Sequence, residues 1–127
     1  RYKDHVIQSK LDRFFKEAVA RLESYFVTVI RKQSMDAVRD FDSGSLDFVF
    51  IDANHAFEFV VNDIAEWSKI VRPGGIVAGH DYRRENKNHA IPFHVIQAVN
   101  AYTDSYNIKP WFVLTGDRCA TWMWVRS

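Results

Sequence analysis

Apolar positions along the chain recur with two different spacings, and the spacing separates helices from strands. Where apolar side chains return every three or four residues, one face of an amphipathic helix is indicated. Pro73, Gly74 and Gly75 would end the helix predicted over Phe57–Val71. The spacing predicts helices over Asp4–Tyr25, Ser34–Phe41, Phe57–Val71 and a segment containing Val95–Val99.

Short, nearly continuous apolar runs predict buried strands. The final two runs are separated only by residues 115–118, too few for a crossover helix, so they should form an antiparallel hairpin. The order of elements predicts an α/β fold, a Rossmann-like, mainly parallel sheet with helices on both faces and a terminal antiparallel hairpin. The predicted strands are Phe26–Ile30, Leu46–Ile51, Ile76–Gly79, Trp111–Leu114 and Cys119–Val125.

Composition narrows the class of protein. The 127 residues are 47% hydrophobic with a net charge of +1, which is typical of one small globular domain and demands neither nucleic acid nor membrane as a partner. The lone Cys119 cannot form an intramolecular disulfide, so we expect a cytoplasmic setting. Because the chain opens at Arg1 without an apolar leader, we interpret its start as a cut and residues 1–127 as a single partial domain.

Polar residues follow three predicted strands, where ligands bind in open α/β sheets. They are Gln33–Asp36, Asp52–His55 and His80–Tyr82. Together Asp52, His55, His80 and Asp81 could hold magnesium or another divalent ion, or act as general bases without metal. The alternative is that Asp52 and Asn54 cap a helix while His80 and Asp81 bond loop backbone.

Other candidates have equally simple structural explanations. Ser34 and Met35 could contact a ring at this rim, or act as a helix cap and core filler. A loop with Arg83, Arg84 and Lys87 could steer an anion, although loop charges usually remain solvated. The tryptophans at 67, 111, 122 and 124 are expected to pack in the core.

The segments Leu46–His55, Asp63-Ile-x-x-Trp67 and Val71–Tyr82 resemble the core of class I S-adenosylmethionine-dependent methyltransferases, especially the small family 24 group. The resemblance spans nearly the whole chain. It implies S-adenosylmethionine as cofactor, with Ser34 and Met35 near its adenine and Asp52, Ala53 and Asn54 facing its methionine part.

By the same resemblance, Asp52 and Asp81 correspond to the metal-binding positions of catechol-type O-methyltransferases. His55 or His80 is then the base that takes the proton from a substrate hydroxyl. The implied function is O-methylation of a small hydroxylated molecule, assisted by Mg²⁺ or another divalent metal.

One departure from the family bears on activity. The family begins with two strands around a glycine-rich turn, whereas the five glycines here are Gly44, Gly74, Gly75, Gly79 and Gly116. The two missing strands would lie mid-sheet, so an edge stays open and a homo-oligomer through that edge is expected. We also expect cofactor binding to be impaired in this chain alone.

Two other functions remain open. A folded or oligomeric remnant without activity would explain the absent glycine-rich turn. A metal-dependent phosphoesterase would use Asn54-His55 and Gly79-His80-Asp81 for metals, but an early Asp-x-His and further histidines are missing.

Overall fold

The computed structural model describes residues 5–84, 92–116 and 118–127. The chain divides into two compact units, one ending at Arg31 and one beginning at Lys32. Among the residues described, no helix has both the length and the apolar character that crossing a bilayer would require.

The first unit consists of helix α1, His5–Leu22, followed by an irregular segment. The helix confirms the prediction for this region. The strand predicted at Phe26–Ile30 is wrong, because these residues have no strand pairing and Phe26, Val27, Val29 and Ile30 are exposed. A strand needs a neighbour to satisfy its backbone groups, and the described part of the chain supplies none here.

The described residues of the second unit form one sheet and three α-helices. The short helix predicted from Ser34 ends early and continues as a 3-10 turn over Val38–Asp40. Its elements are α2 Ser34–Ala37, β1 Leu46–Ile51, α3 Phe57–Ile70, β2 Val71–Gly79, α4 Val95–Ser105, β3 Trp111–Leu114 and β4 Thr121–Val125.

The sheet has the order β1-β2-β4-β3. Strands β1 and β2 are parallel, whereas β4 pairs antiparallel with both β2 and β3. The predicted α/β class and terminal hairpin are confirmed. The sheet of the described residues is mixed rather than mainly parallel, because β4 runs antiparallel to both of its neighbours. Strand β2 begins at Val71 rather than at Ile76, with an irregular register opposite β1 between Leu46 and Phe48.

Both α3 and α4 pack against one face of the sheet. Apolar side chains from β1, β2 and the terminal hairpin meet those of the two helices there, including Ile64, Val77, Val99, Trp122 and Trp124. The opposite face carries exposed apolar side chains, namely Phe48, Phe50, Phe112, Leu114 and Val125. Within residues 32–127 as described, helices therefore cover one face of the sheet.

The close packing of Trp122 against the end of β2 requires a glycine at position 79. A Cβ atom at Gly79 would lie 2.2 Å from the Trp122 ring and 2.6 Å from the Ile51 carbonyl oxygen. Trp122 is 1% exposed, so its ring has little room to move away. Gly79 therefore lets the tryptophan pack directly against β2, immediately before His80.

We predict that Gly79→Ala lowers the free energy of unfolding by about 1–3 kcal/mol, because the added methyl group overpacks the Trp122 contact. Urea denaturation would measure the change. Gly116→Ala is the matched control, since a Cβ there meets nothing within 4 Å. Equal destabilisation by both substitutions would contradict the packing explanation.

Candidate active site

The parallel pairing of β1 and β2 brings two polar clusters together. Ile51 and Gly79 are register partners at the carboxyl ends of the two strands. The His80 amide then donates to the Ile51 carbonyl at 3.1 Å, extending the ladder by one bond. Asp52 and His80 consequently leave the sheet side by side.

Asp52, His80 and Asp81 form a cluster of ligand-type side chains. One carboxylate or imidazole atom from each lies within 4.8 Å of the others. Asp52 is exposed, whereas His80 and Asp81 are half-buried. Of the two carboxylates and two imidazoles that the sequence indicated, both carboxylates and the imidazole of His80 are therefore within reach of a common ion.

Asp81 is the centre of this polar cluster. It adopts a left-handed backbone conformation with φ of 59°, unusual for a residue with a side chain and tolerated best by Asp and Asn. One carboxylate oxygen lies 2.9 Å from His55 Nε2, and the other accepts a hydrogen bond of 3.2 Å from Arg83 Nε. His80 Nδ1 is 3.8 Å from the Arg83-bound oxygen.

The charge state of Asp81 follows from these contacts. Burial alone would raise the pKa of the carboxyl group. Hydrogen bonds from Arg83 and Cys119, together with the nearby imidazoles of His55 and His80, outweigh burial and place the pKa below its usual value. Asp81 therefore stays ionised at neutral pH and can stabilise a protonated imidazole.

His55 is held between this carboxylate and an aromatic ring. Its ring stacks on Phe93 at 4.8 Å between centroids, and Arg83 lies over the same phenyl ring at 4.1 Å. The His94 amide donates to the His55 carbonyl at 2.8 Å, fixing the backbone. Among the described residues, no well-directed hydrogen bond reaches the buried His55 Nε2, which lies 2.9 Å from an Asp81 carboxylate oxygen.

A hollow of about 590 Å³ lies beside this cluster. Four of the five residues predicted to bind a cofactor line it, namely Ser34, Met35, Ala53 and Asn54. The fifth, Asp52, lines an adjoining hollow of about 290 Å³ that shares Ser34, Ala53 and Asp63 with the first. Asn54 Oδ1 also accepts a 2.9 Å hydrogen bond from the Ala56 amide, which closes a turn just before α3. Ala56 itself occupies the cap position without a side-chain capping bond, so the interpretation of Asn54 as the helix cap is wrong.

Ser34 does not cap its helix. Gln33 occupies the cap position, without a side-chain capping bond, and Ser34 is the first helical residue. The Ser34 hydroxyl donates to Asp63 Oδ1 at 2.5 Å and accepts from Trp67 Nε1 at 2.9 Å. This network ties the short helix to α3 at the wall of the hollow.

Several contributors to the site were missed by sequence reasoning. Arg83, expected to be solvated, is half-buried and bound to Asp81, and its position two residues after that aspartate was the only local signal. Phe93 and Cys119 reach the site from distant segments, so no local pattern marks them. Arg84 is exposed, and Lys87 lies outside the described residues.

A further hollow of about 670 Å³ lies elsewhere in the second unit. Its lining includes Tyr102 on α4, Tyr106 and Lys109 in the connection to β3, and Val125 at the end of β4. Val125 pairs with Ile76, at the opposite end of the β2–β4 ladder from Gly79. Since ligands of open α/β sheets bind at the carboxyl ends of strands, we place the candidate site at the His80 end.

The arrangement combines two chemical capacities. The hollow beside Ser34 and Met35 offers a half-buried apolar wall with hydroxyl and amide groups, suited to a planar ligand. The neighbouring cluster offers an imidazole next to an ionised carboxylate, which suits it to accept a proton.

Comparison with known proteins identifies a family whose sequence pattern this chain matches. The model of a methyltransferase domain family, number 24, matches residues 3–82. No curated protein matches the chain significantly.

Two crystal structures resemble the chain. One is a proposed O-methyltransferase from Klebsiella pneumoniae, with a TM-score of 0.53, 18% identity, and coverage of 80% of this chain and 50% of that protein. The other is a proposed type 11 methyltransferase from Sulfolobus solfataricus, with a TM-score of 0.55 and 18% identity. The match covers 89% of this chain and 65% of that protein. The chain thus spans half to about two-thirds of their lengths, and at this identity the likeness concerns the fold. Because the family match covers more than half of the chain, the chain belongs to methyltransferase domain family 24.

Proposed function

We propose that this chain is part of an S-adenosylmethionine-dependent methyltransferase that methylates a hydroxyl oxygen of a small molecule. The observation that carries the proposal is the shared rim, where the hollow lined by Ser34, Met35, Ala53 and Asn54 adjoins the cluster around Asp81. Family membership supports the cofactor.

The residues at the rim fit the two ends of the cofactor. When bound, S-adenosylmethionine supplies an electrophilic methyl group on a sulfonium. Ser34 and Met35 would contact the adenine, with the thioether of Met35 as a soft apolar surface. Asp52, Ala53 and Asn54 would face the methionine part, and the carboxylate of Asp52 suits its ammonium group.

His55 and His80 are the candidate bases. A base must accept the proton of the substrate hydroxyl, and a neighbouring carboxylate makes the imidazole a better acceptor by stabilising its cation. His55 Nε2 has the closer approach to Asp81, 2.9 Å against 3.8 Å for His80 Nδ1. We therefore favour His55 as the base and His80 as its neighbour beside the substrate oxygen.

The same cluster fits a divalent metal. Asp52 and Asp81 provide the oxygen ligands that Mg²⁺ prefers, and His80 could add a nitrogen ligand for a metal such as Mn²⁺. A metal there would lower the pKa of a substrate hydroxyl. Arg83 and His55 already contact the two Asp81 oxygens, so a metal would share these oxygens with them or displace one of the contacts.

We further propose that cofactor binding by this chain alone is weak. Family members hold the cofactor partly through backbone amides of a glycine-rich turn. In the described part of the chain, no glycine lines either hollow beside Ser34. The side chains at the rim would then act without those backbone donors.

A homo-oligomer through the edge of β1 is the companion proposal. Strand β1 is an edge of the four-stranded sheet, and Phe48 and Phe50 on it are 51% and 45% exposed. Exposed apolar edge strands pair readily with other chains. A second copy could therefore extend the sheet at β1.

Titration with S-adenosylhomocysteine, followed by backbone amide NMR, tests the proposed function. We expect chemical-shift changes at the amides of Ser34, Met35, Ala53 and Asn54. The expected dissociation constant is about 1 mM or weaker, which corresponds to a favourable binding free energy of about 4 kcal/mol or less. Amides of Tyr106 and Lys109 serve as internal controls in the distant hollow. Shifts only at those controls would contradict the site, and micromolar affinity would contradict the weak binding.

Asp52→Asn should abolish Mn²⁺ binding at the rim, because it removes one of two carboxylate ligands. Paramagnetic broadening of the amides around Asp52 and His80 would measure occupancy. The control is Asp104→Asn, which changes an exposed carboxylate on α4. Broadening that persists unchanged in Asp52→Asn would exclude the proposed ligand set.

Phe48→Lys should dissociate the oligomer, because a charge on an edge strand opposes pairing with another chain. Light scattering would give the mass. Phe112→Lys is the matched control, since Phe112 is 47% exposed on β3 at the opposite edge of the sheet. Dissociation by the control alone would assign the interface to β3, and a monomeric wild type would refute the proposal.

A further inference from the structure

Asp63 is a buried carboxylate that the proposed chemistry leaves unused. It is 4% exposed and lies on α3 next to the fully buried Ile64. Burial raises its pKa, and the hydrogen bond from Ser34 opposes this only in part. A carboxylate buried with a neutral hydroxyl as its partner is costly to the fold, which is a common mark of a functional position.

The hydrogen bonds of Ser34 fix the chemical character of its hydroxyl. A hydroxyl group has one hydrogen to donate and two lone pairs to accept. The hydrogen is directed to Asp63 Oδ1, and one lone pair accepts the Trp67 Nε1 hydrogen. What remains for a ligand is a single lone pair, so Ser34 can only accept.

Trp67 is itself held in place. Its ring makes an edge contact with Phe41, with 5.4 Å between ring centroids. Its indole nitrogen can donate but cannot accept, so the direction of its bond to Ser34 cannot reverse. Asp63 and Trp67 therefore both keep the Ser34 hydrogen pointing towards Asp63, so that the hydroxyl oxygen faces a ligand as an acceptor.

We propose that Asp63 and Trp67 are positioning residues that hold the Ser34 hydroxyl as a hydrogen-bond acceptor, so that the hollow selects a 6-amino purine over a 6-oxo purine. This rests on the proposed function, which places adenine at Ser34. The 6-amino group of adenine donates hydrogen bonds, whereas the 6-oxo group of hypoxanthine accepts them. An acceptor opposite the 6-position satisfies the first group and leaves the second without a donor.

Adenosine and inosine, titrated separately and followed by amide NMR, test this selectivity. We expect wild type to bind adenosine roughly tenfold more tightly than inosine, the effect of about one hydrogen bond. In Asp63→Ala the Ser34 hydrogen is free to turn towards the ligand. The ratio of the affinities for adenosine and inosine should then fall close to one. Asp63→Asn should retain the preference, because its amide oxygen can still accept from Ser34.

Glu66→Ala is the matched control on the same helix, because Glu66 pairs with Lys69 outside the hollow and its loss should leave the ratio unchanged. If Asp63→Ala does not fold, Ser34→Ala provides the same test, with a ratio close to one expected. An unchanged ratio in a folded Asp63→Ala, or in Ser34→Ala, overturns the inference even when both nucleosides bind. If S-adenosylhomocysteine shifts the rim amides of wild type and adenosine at the same concentration does not, the inference is overturned while the proposed function stands. If none of the three ligands shifts them, both fall.

Discussion

The parallel pairing of β1 with β2 is the constraint on which the candidate site depends. It places Ile51 opposite Gly79 and lets the His80 amide bond to the Ile51 carbonyl at 3.1 Å. On the other side, Trp122 Nε1 donates to the His80 carbonyl at 3.2 Å. The backbone at His80 is thus bonded to β1 and to β4, and the side chains that follow emerge from a fixed position.

Two carboxylates at the rim show how this framework creates different environments. The pKa of Asp81 is lowered, because hydrogen bonds and two imidazoles outweigh its burial. The pKa of Asp63 is raised, because burial outweighs the hydrogen bond that the Ser34 hydroxyl donates to it. Carboxyl groups shifted in opposite directions suit opposite tasks. Asp81 can support a proton acceptor, whereas Asp63 orients a neutral recognition group.

Regular elements with strong local patterns were predictable from the sequence. The apolar stripe of α3, the run Leu46–Ile51 and the short connection before β4 each determine their structure locally. The meeting of Asp52 with His80 and Asp81 was also predictable, because parallel strands bring their carboxyl ends together.

Features that depend on distant partners were not predictable. Phe26–Ile30 has the composition of a strand, but composition cannot reveal whether a neighbouring strand is present to pair with it. Asp63 and Trp67 fall within a helical stripe, and their bonds to Ser34 depend on how α2 meets α3. Arg83 looked like a solvated loop cation because its aromatic partner, Phe93, comes from a separate segment.

A crystal structure with S-adenosylhomocysteine and Mn²⁺, the ion located by its anomalous scattering, would show whether the hollow at Ser34 and the carboxylates beside it form one site. We expect adenine against Ser34 and Met35, and the ion between Asp52 and Asp81 on the same rim. Ligand bound instead in the hollow lined by Tyr102 and Tyr106, with the Asp52 cluster free of metal, would contradict this expectation.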